Sequence, residues 1–175
     1  RSNAVQLTRS AVAAAAATTS SAHGYSTDAS AETPASARFL GEPMRSKSLE
    51  GKTIAIFVDH KFEDMEVMYP KIRLEEEGAT VVVVGVHPAG TTYSGKFGYP
   101  IKSDVCVDAC DNAELLWAAL VLPGGFAPDY MRRSQKMLTL TTAMVSAGKP
   151  VAAICHGPWM LCSARRADGT PLCKG

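Results

Sequence analysis

In the stretch VAAICHGPW (151–159) a cysteine and a histidine sit side by side between an apolar run and a Gly-Pro pair. The run VAAI reads as a short buried strand, and PWML reads as the start of a helix, so Cys155 and His156 fall on the turn between them. A residue on so sharp a turn is lifted out of the sheet, with backbone N–H groups around its side chain. That is the geometry of a nucleophile elbow, and it suits addition of a thiol to an acyl or carbonyl carbon. The positive end of a helix beginning near Pro158 favours thiolate over thiol. The same position also suits an inert, buried structural cysteine, and His156 reads equally as a proton carrier or as a turn histidine bonded to backbone.

Two other segments carry chemistry by type and place. Glu63, Asp64 and Glu66 open the helix after the apolar run TIAIFV (53–58), where an acid partner for the thiol can stand or where carboxylates merely serve the helix dipole. Gly124 and Gly125 follow the run AALVLP (118–123). Paired glycines let backbone approach a ligand closely and can supply an oxyanion donor; a plain turn has the same spacing. Tyr93, Tyr99, Tyr130 and Trp159 can line a pocket, although core or interface packing is the default reading of such aromatics.

These three segments must be positioned by the periodic part of the chain. TIAIFV reads as a strand. Met65, Met68, Tyr69 and Ile72 then recur at i, i+3, i+4, i+7, a helical stripe in which Pro70 is expected to kink or restart the helix and Gly78 to stop it. TVVVVGV (80–86) is too continuously apolar for a half-exposed strand and reads as a central parallel one. TTYSGKFGYPIKSDVCV (91–107) reads as a hairpin with turns at Gly95 and Gly98. Residues 134–147 read as a helix closed by Gly148, and Pro158 suits a first helical turn. Strands alternating with helices imply an open, doubly wound, mostly parallel α/β sheet with helices on both faces, whose sites lie at the carboxyl ends of the strands. The segments 59–66, 123–129 and 155–156 all fall there.

The 175 residues suffice for one domain, and 18 basic against 17 acidic residues leave a net charge of +1, so neither nucleic acid nor an acidic membrane surface is indicated as partner. No apolar run reaches the length of a membrane span. Cys106, Cys110, Cys155, Cys162 and Cys173 form an odd set without a CxxC pair or zinc spacing, which fits reduced thiols in an intracellular compartment. No metal is implied, and apart from Cys155 the cysteines are assigned no chemistry. Residues 1–50 are rich in Ala, Ser and Thr and poor in acids. They read as a disordered segment, either a mitochondrial or chloroplast transit peptide or a tail without an address, in which case the protein is cytoplasmic. The domain proper is expected over 51–175.

Four blocks, DHKFEDMEVMYP (59–70), GTTYSGKFGYPIKSD (90–104), LVLPGGFAPDYMRR (120–133) and GKPVAAICHGPWML (148–161), occur in an order and at a spacing that resemble the DJ-1/PfpI superfamily, its PfpI-like branch in particular. The resemblance implies a flavodoxin-like fold with Cys155 as nucleophile on the elbow and Glu63 as the acid that stays protonated and donates to the thiolate. It further implies His156 as the following histidine, and backbone of Gly125 and His156 as the oxyanion hole. A third carboxylate is implied at Asp129, where the branch usually carries Glu, one methylene longer. It implies no cofactor and a homo-oligomer. It also implies a chemistry of reactive carbonyls: glyoxalase III or deglycase-like conversion of methylglyoxal or glyoxal to the hydroxy acid, or release from glycated substrates. A cysteine peptidase or amidase and a non-enzymatic redox-sensing stress protein are the alternatives. Family members continue past the elbow helix with further strands, so the domain is expected to be incomplete at its C-terminus.

Overall fold

The computed structural model describes residues 48–174. The segment expected over 1–50 lies outside the described residues except for its last three positions. Seven strands and five α-helices alternate along the described chain: β1 (Thr53–Phe57), α1 (Asp64–Glu76), β2 (Thr80–Gly85), β3 (Thr92–Ser94), β4 (Pro100–Lys102), β5 (Val105–Cys106), α2 (Ala113–Leu116), β6 (Ala119–Leu122), α3 (Ala127–Met131), α4 (Gln135–Ser146), β7 (Val151–Ala153) and α5 (Trp159–Ser163).

β5, β2, β1, β6 and β7 form one sheet in that order, and every pairing in it is parallel. From β1 the chain moves outward to β2 and β5, then returns to the other side of β1 for β6 and β7. Right-handed crossovers taken in opposite directions place α1 and α4 on opposite faces, the doubly wound arrangement of the flavodoxin-like α/β class. The reversal falls between β1 and β6, so the crevice expected of such a sheet opens at their carboxyl ends. Burial follows from this order. Residues 54–58 of the central strand and its extension are all buried, as are Leu120, Val121 and Leu122 of β6, whereas β7 at the edge exposes Ala152.

The hairpin is present as a separate two-stranded unit, with Tyr93 opposite Ile101 and Gly98 at φ +94 in its turn. Residues 105–106 leave that hairpin and join the main sheet as its edge, a two-residue strand too short to carry a period. Ser134 caps α4 by accepting the Met137 N–H at 3.3 Å.

Two expectations for α1 are corrected. The helix does not restart at Pro70 but continues through it for 13 residues: the loss of a single bond to the Glu66 carbonyl is outweighed by the packing of its inner face. That inner face is built on Val67, fully buried, with Met68 and Leu74 packed against the core. Met65, Tyr69 and Ile72 are 65%, 60% and 48% exposed, so three of the four residues of the sequence stripe point outward. Val67 lies on the face opposite the stripe the period picks out.

Candidate functional site

Cys155 stands where β7 ends. The Ile154 N–H donates to the Leu122 carbonyl at 3.0 Å, prolonging the β6–β7 ladder by one bond, and the Gly157 N–H then turns back to the Ile154 carbonyl at 2.7 Å. The turn is pressed so closely on β6 that a Cβ at Gly157 would collide with the Leu122 carbonyl. Between these two bonds Cys155 is forced to φ +54, a left-handed conformation that costs a non-glycine residue on the order of 1 kcal/mol or more. Its side chain is exposed. The elbow expected from the sequence is therefore present, and the sealed structural cysteine is not what this turn holds. α5 is only five residues long, so its dipole adds little at the sulfur.

Gly124 is the point on which the site converges. A Cβ built there would lie 2.7 Å from Glu66 Oε2, 2.8 Å from Cys155 Cβ and 2.8 Å from the His156 nitrogen. Only a glycine lets a carboxylate, the cysteine and the elbow backbone meet at one place. The contact to the carboxylate is a bond as well: the Gly124 N–H donates to Glu66 Oε2 at 2.7 Å. One glutamate oxygen is thus occupied by the backbone of the glycine pair.

The neighbouring Gly125, at φ +70, is locked to the loop after β1. Phe62 and Gly125 form an antiparallel bridge, the Phe126 N–H donates to the Lys61 carbonyl at 2.9 Å, and the Glu63 N–H to the Gly124 carbonyl at 3.3 Å. The carbonyl of Gly125 is 2.9 Å from His156 Nδ1. Because a carbonyl only accepts, Nδ1 is the donor of this bond, and in the neutral imidazole Nε2 is then the nitrogen with the lone pair. The imidazole is also stacked on Trp159, centroids 4.3 Å apart and planes within 10°. Among the described residues, no backbone acceptor takes the N–H of Gly125 or of His156, which leaves both available to an oxyanion.

The acid assigned to the cysteine changes. The carboxylate of Glu63 turns to Lys96, with Nζ to Oε2 at 3.4 Å, beside the hairpin turn. The carboxylate of Asp64 accepts the N–H groups of Phe97 and Tyr99, both at 2.9 Å, and so fastens that turn. Of the three, Glu66 is the one tied to the glycine pair that packs against the elbow. The reason is helical: Glu63 is the extended cap residue outside α1, whereas Glu66 sits a turn further in, immediately before the buried Val67. The adjacency of an acid to the first buried position of the helix was the available signal. Asp129, half-buried on α3, makes no hydrogen bond to His156 among the described residues, since the histidine is already held by Gly125.

One further acid was within the segment singled out but carried no role. Asp59, at the end of the central strand, is buried; burial pushes its carboxyl above the usual range, against the opposing pull of the His60 N–H, which it accepts at 2.7 Å, and of the His60 and His87 imidazoles. A concavity of about 500 Å³ beside the hairpin turn is lined by His60, Lys61, Ser94, Lys96 and Phe126. Cys155 is not in its wall; the thiol stands on open surface, reached directly from outside.

Comparisons with known proteins bear on the family and the fold. The family model described as "DJ-1/PfpI family" matches residues 52–172. A deglycase of Pyrococcus horikoshii is 45% identical over 105 residues, which cover 60% of this chain and 61% of that protein. The protein/nucleic acid deglycase 2 of Escherichia coli is 40% identical over 122 residues, 69% of each chain. Among solved structures, a two-domain protein of Anabaena variabilis with DJ-1/ThiJ/PfpI-like and ferritin-like domains superposes with a TM-score of 0.62 at 34% identity, over 65% of this chain and 32% of that one. The chain spans about three fifths of the length of the first curated relatives it matches.

Proposed function

Because the chain belongs to the DJ-1/PfpI family, we propose that it is a cysteine-dependent enzyme of reactive carbonyls, converting methylglyoxal or glyoxal to the hydroxy acid in the manner of a glyoxalase III or deglycase. The observation that carries this reading is the convergence at Gly124: an exposed thiol on a strained turn, with a carboxyl group tethered by one oxygen beside it. The deglycase names of the Pyrococcus horikoshii and Escherichia coli relatives support the same chemistry.

In the proposed reaction the Cys155 sulfur adds to the aldehyde carbon, forming a C–S bond, and the carbonyl oxygen takes a proton to give a hemithioacetal. The N–H groups of Gly125 and His156 receive the oxygen while it is negative. His156 Nε2 removes the proton from the former aldehyde carbon and returns it to the neighbouring carbon, which converts the hemithioacetal to a thioester. Water then cleaves the C–S bond, releasing lactate from methylglyoxal and the free thiol. Glu66, held by Gly124, donates a hydrogen bond to the sulfur and carries protons between steps. This role replaces that expected of Glu63. No redox change leaves the substrate, so the sequence balances with water alone and no cofactor is invoked.

Lactate release from methylglyoxal tests this directly. Wild type should release it and Cys155→Ser should not; equal release by both, or none from folded wild type, ends the proposal. Small aldehydes or glycated groups are the proposed substrates, a homo-oligomer the proposed assembly, and an organellar or cytoplasmic compartment the proposed setting.

A further inference from the structure

Trp159 is one of four aromatics whose place in the sequence suits either a pocket wall or packing. In the structure its indole lies flat against the imidazole of His156, centroids 4.3 Å apart and planes within 10°. The elbow builds this stack from its own backbone. The Trp159 N–H donates to the His156 carbonyl at 3.0 Å and the Met160 N–H to the Gly157 carbonyl at 3.0 Å, so residues 156 to 159 make one helical turn, and side chains three apart come to the same side of it. Pro158, at φ −56 and ψ −19, is already helical, and the turn is pressed on the Leu122 carbonyl at Gly157. Met160, fully buried, roots it in the core. The two rings above are half-buried.

A planar ring is aimed by holding one of its atoms and its plane. The bond between His156 Nδ1 and the Gly125 carbonyl, 2.9 Å long, holds the atom. It does not hold the plane, because a hydrogen bond tolerates bending of about 30° before it weakens much. A tilt of that size about Nδ1 swings Nε2 by roughly 1 Å, and a misplacement of about 1 Å can cost a reaction about 10²-fold. A catalytic group has to be held to about 10–20°. The indole, parallel to the imidazole within 10°, supplies the missing restraint.

We propose that Trp159 is the positioning residue of His156: it fixes the plane of the imidazole in which Nδ1 donates to Gly125 and Nε2 is left free, and so acts on the reaction only through that ring. The kinetic part of this role rests on the carbonyl chemistry proposed above; the orientation does not.

The orientation is read without turnover. Full-length protein labelled with [15N]histidine, held at alkaline pH where imidazoles are neutral, reports the tautomer of each ring through its two nitrogen resonances. Of the four histidines, His156 is the one whose signals vanish in His156→Asn. Wild type and Trp159→Phe should show the Nδ1–H form alone at this residue, and Trp159→Leu should show nitrogen shifts averaged between the two tautomers. Averaged or Nε2–H signals in wild type, or an unchanged Nδ1–H form in Trp159→Leu, overturn the proposal. For lactate release from methylglyoxal, Trp159→Leu should lower kcat about tenfold with KM altered by less than about twofold, and Trp159→Phe should restore most of the loss. In a His156→Asn background Trp159→Leu should have no further effect on kcat. A loss that persists in full without the imidazole makes Trp159 a packing residue and overturns its role. A wild type that holds the Nδ1–H form, loses it in Trp159→Leu and releases no lactate supports the orientation while ending the carbonyl chemistry.

Discussion

The two edges of the main sheet each end in a cysteine-bearing turn, and the turns have opposite characters. At the β5 edge the chain leaves Val105–Cys106 through a 3₁₀ turn that folds inward. Cys110 there is buried, its Sγ–H donates to the Cys106 carbonyl at 3.5 Å, and burial pushes the thiol up to about 11. At the β7 edge the chain turns outward through a left-handed residue, and Cys155 is exposed among a carboxyl group, an imidazole and two free N–H groups. Residue type is the same at both edges, and each thiol follows the edge strand on its side. What differs is the direction of the turn and which loops from the centre of the sheet reach it: the glycine pair after β6 and the first turn of α1 reach only the β7 side.

The contrast is broken most easily with a thiol reagent. Iodoacetamide at pH 8 should modify Cys155 at least about a hundredfold faster than Cys110, since a thiol near 11 is ionised only to about one part in a thousand at that pH and burial shields it further. Peptide mapping over time reads both rates, and comparable labelling of the two would erase the distinction. The two glutamates give the next largest effect. Glu66→Gln should lower lactate release by about 10²-fold, as loss of a proton carrier does, whereas Glu63→Gln, which removes only a partly exposed contact to Lys96, should change it by less than about threefold. The reverse ranking would restore Glu63 to the thiol.

Backbone strain predicts a smaller effect of the other sign. Cys155→Gly should abolish turnover while stabilising the fold by about 0.5–1 kcal/mol in denaturant, because glycine takes φ +54 without penalty; Cys110→Gly, which empties a packed site, should destabilise it. The smallest effect concerns Asp59. Its carboxyl is raised by burial, so the folded state holds this proton more tightly than the unfolded chain does. Its stabilising contribution is complete below the unfolded value and is lost as pH rises through the folded one. Asp59→Asn, which still accepts the His60 N–H, should therefore raise the melting temperature at pH 7, with the difference from wild type closing as pH falls toward the usual aspartate range. A gap that widens on acidification would contradict the sign.

Much of the fold was legible because its signals are local. The runs 53–58, 80–86 and 118–123 are continuous apolar stretches long enough to show that both their faces are covered, and the glycines at 98 and 148 sit where turns need positive φ. β5 and α2 were not legible, being shorter than any period. The outward Met65–Tyr69–Ile72 stripe was misread because a helical period marks a stripe without saying that the core lies under it; Val67 decided that.

The order of elements, the turn at Cys155 and the reach of the glycine pair follow from residue types along the chain: glycine, proline and β-branched residues constrain backbone within a few positions. Which of the three acids 63, 64 and 66 is tied to the glycine pair at the elbow, and which nitrogen of His156 faces the Gly125 carbonyl, were decided only in three dimensions. Each depends on groups distant in sequence, Gly124 for Glu66 and Gly125 for His156, meeting within hydrogen-bond length.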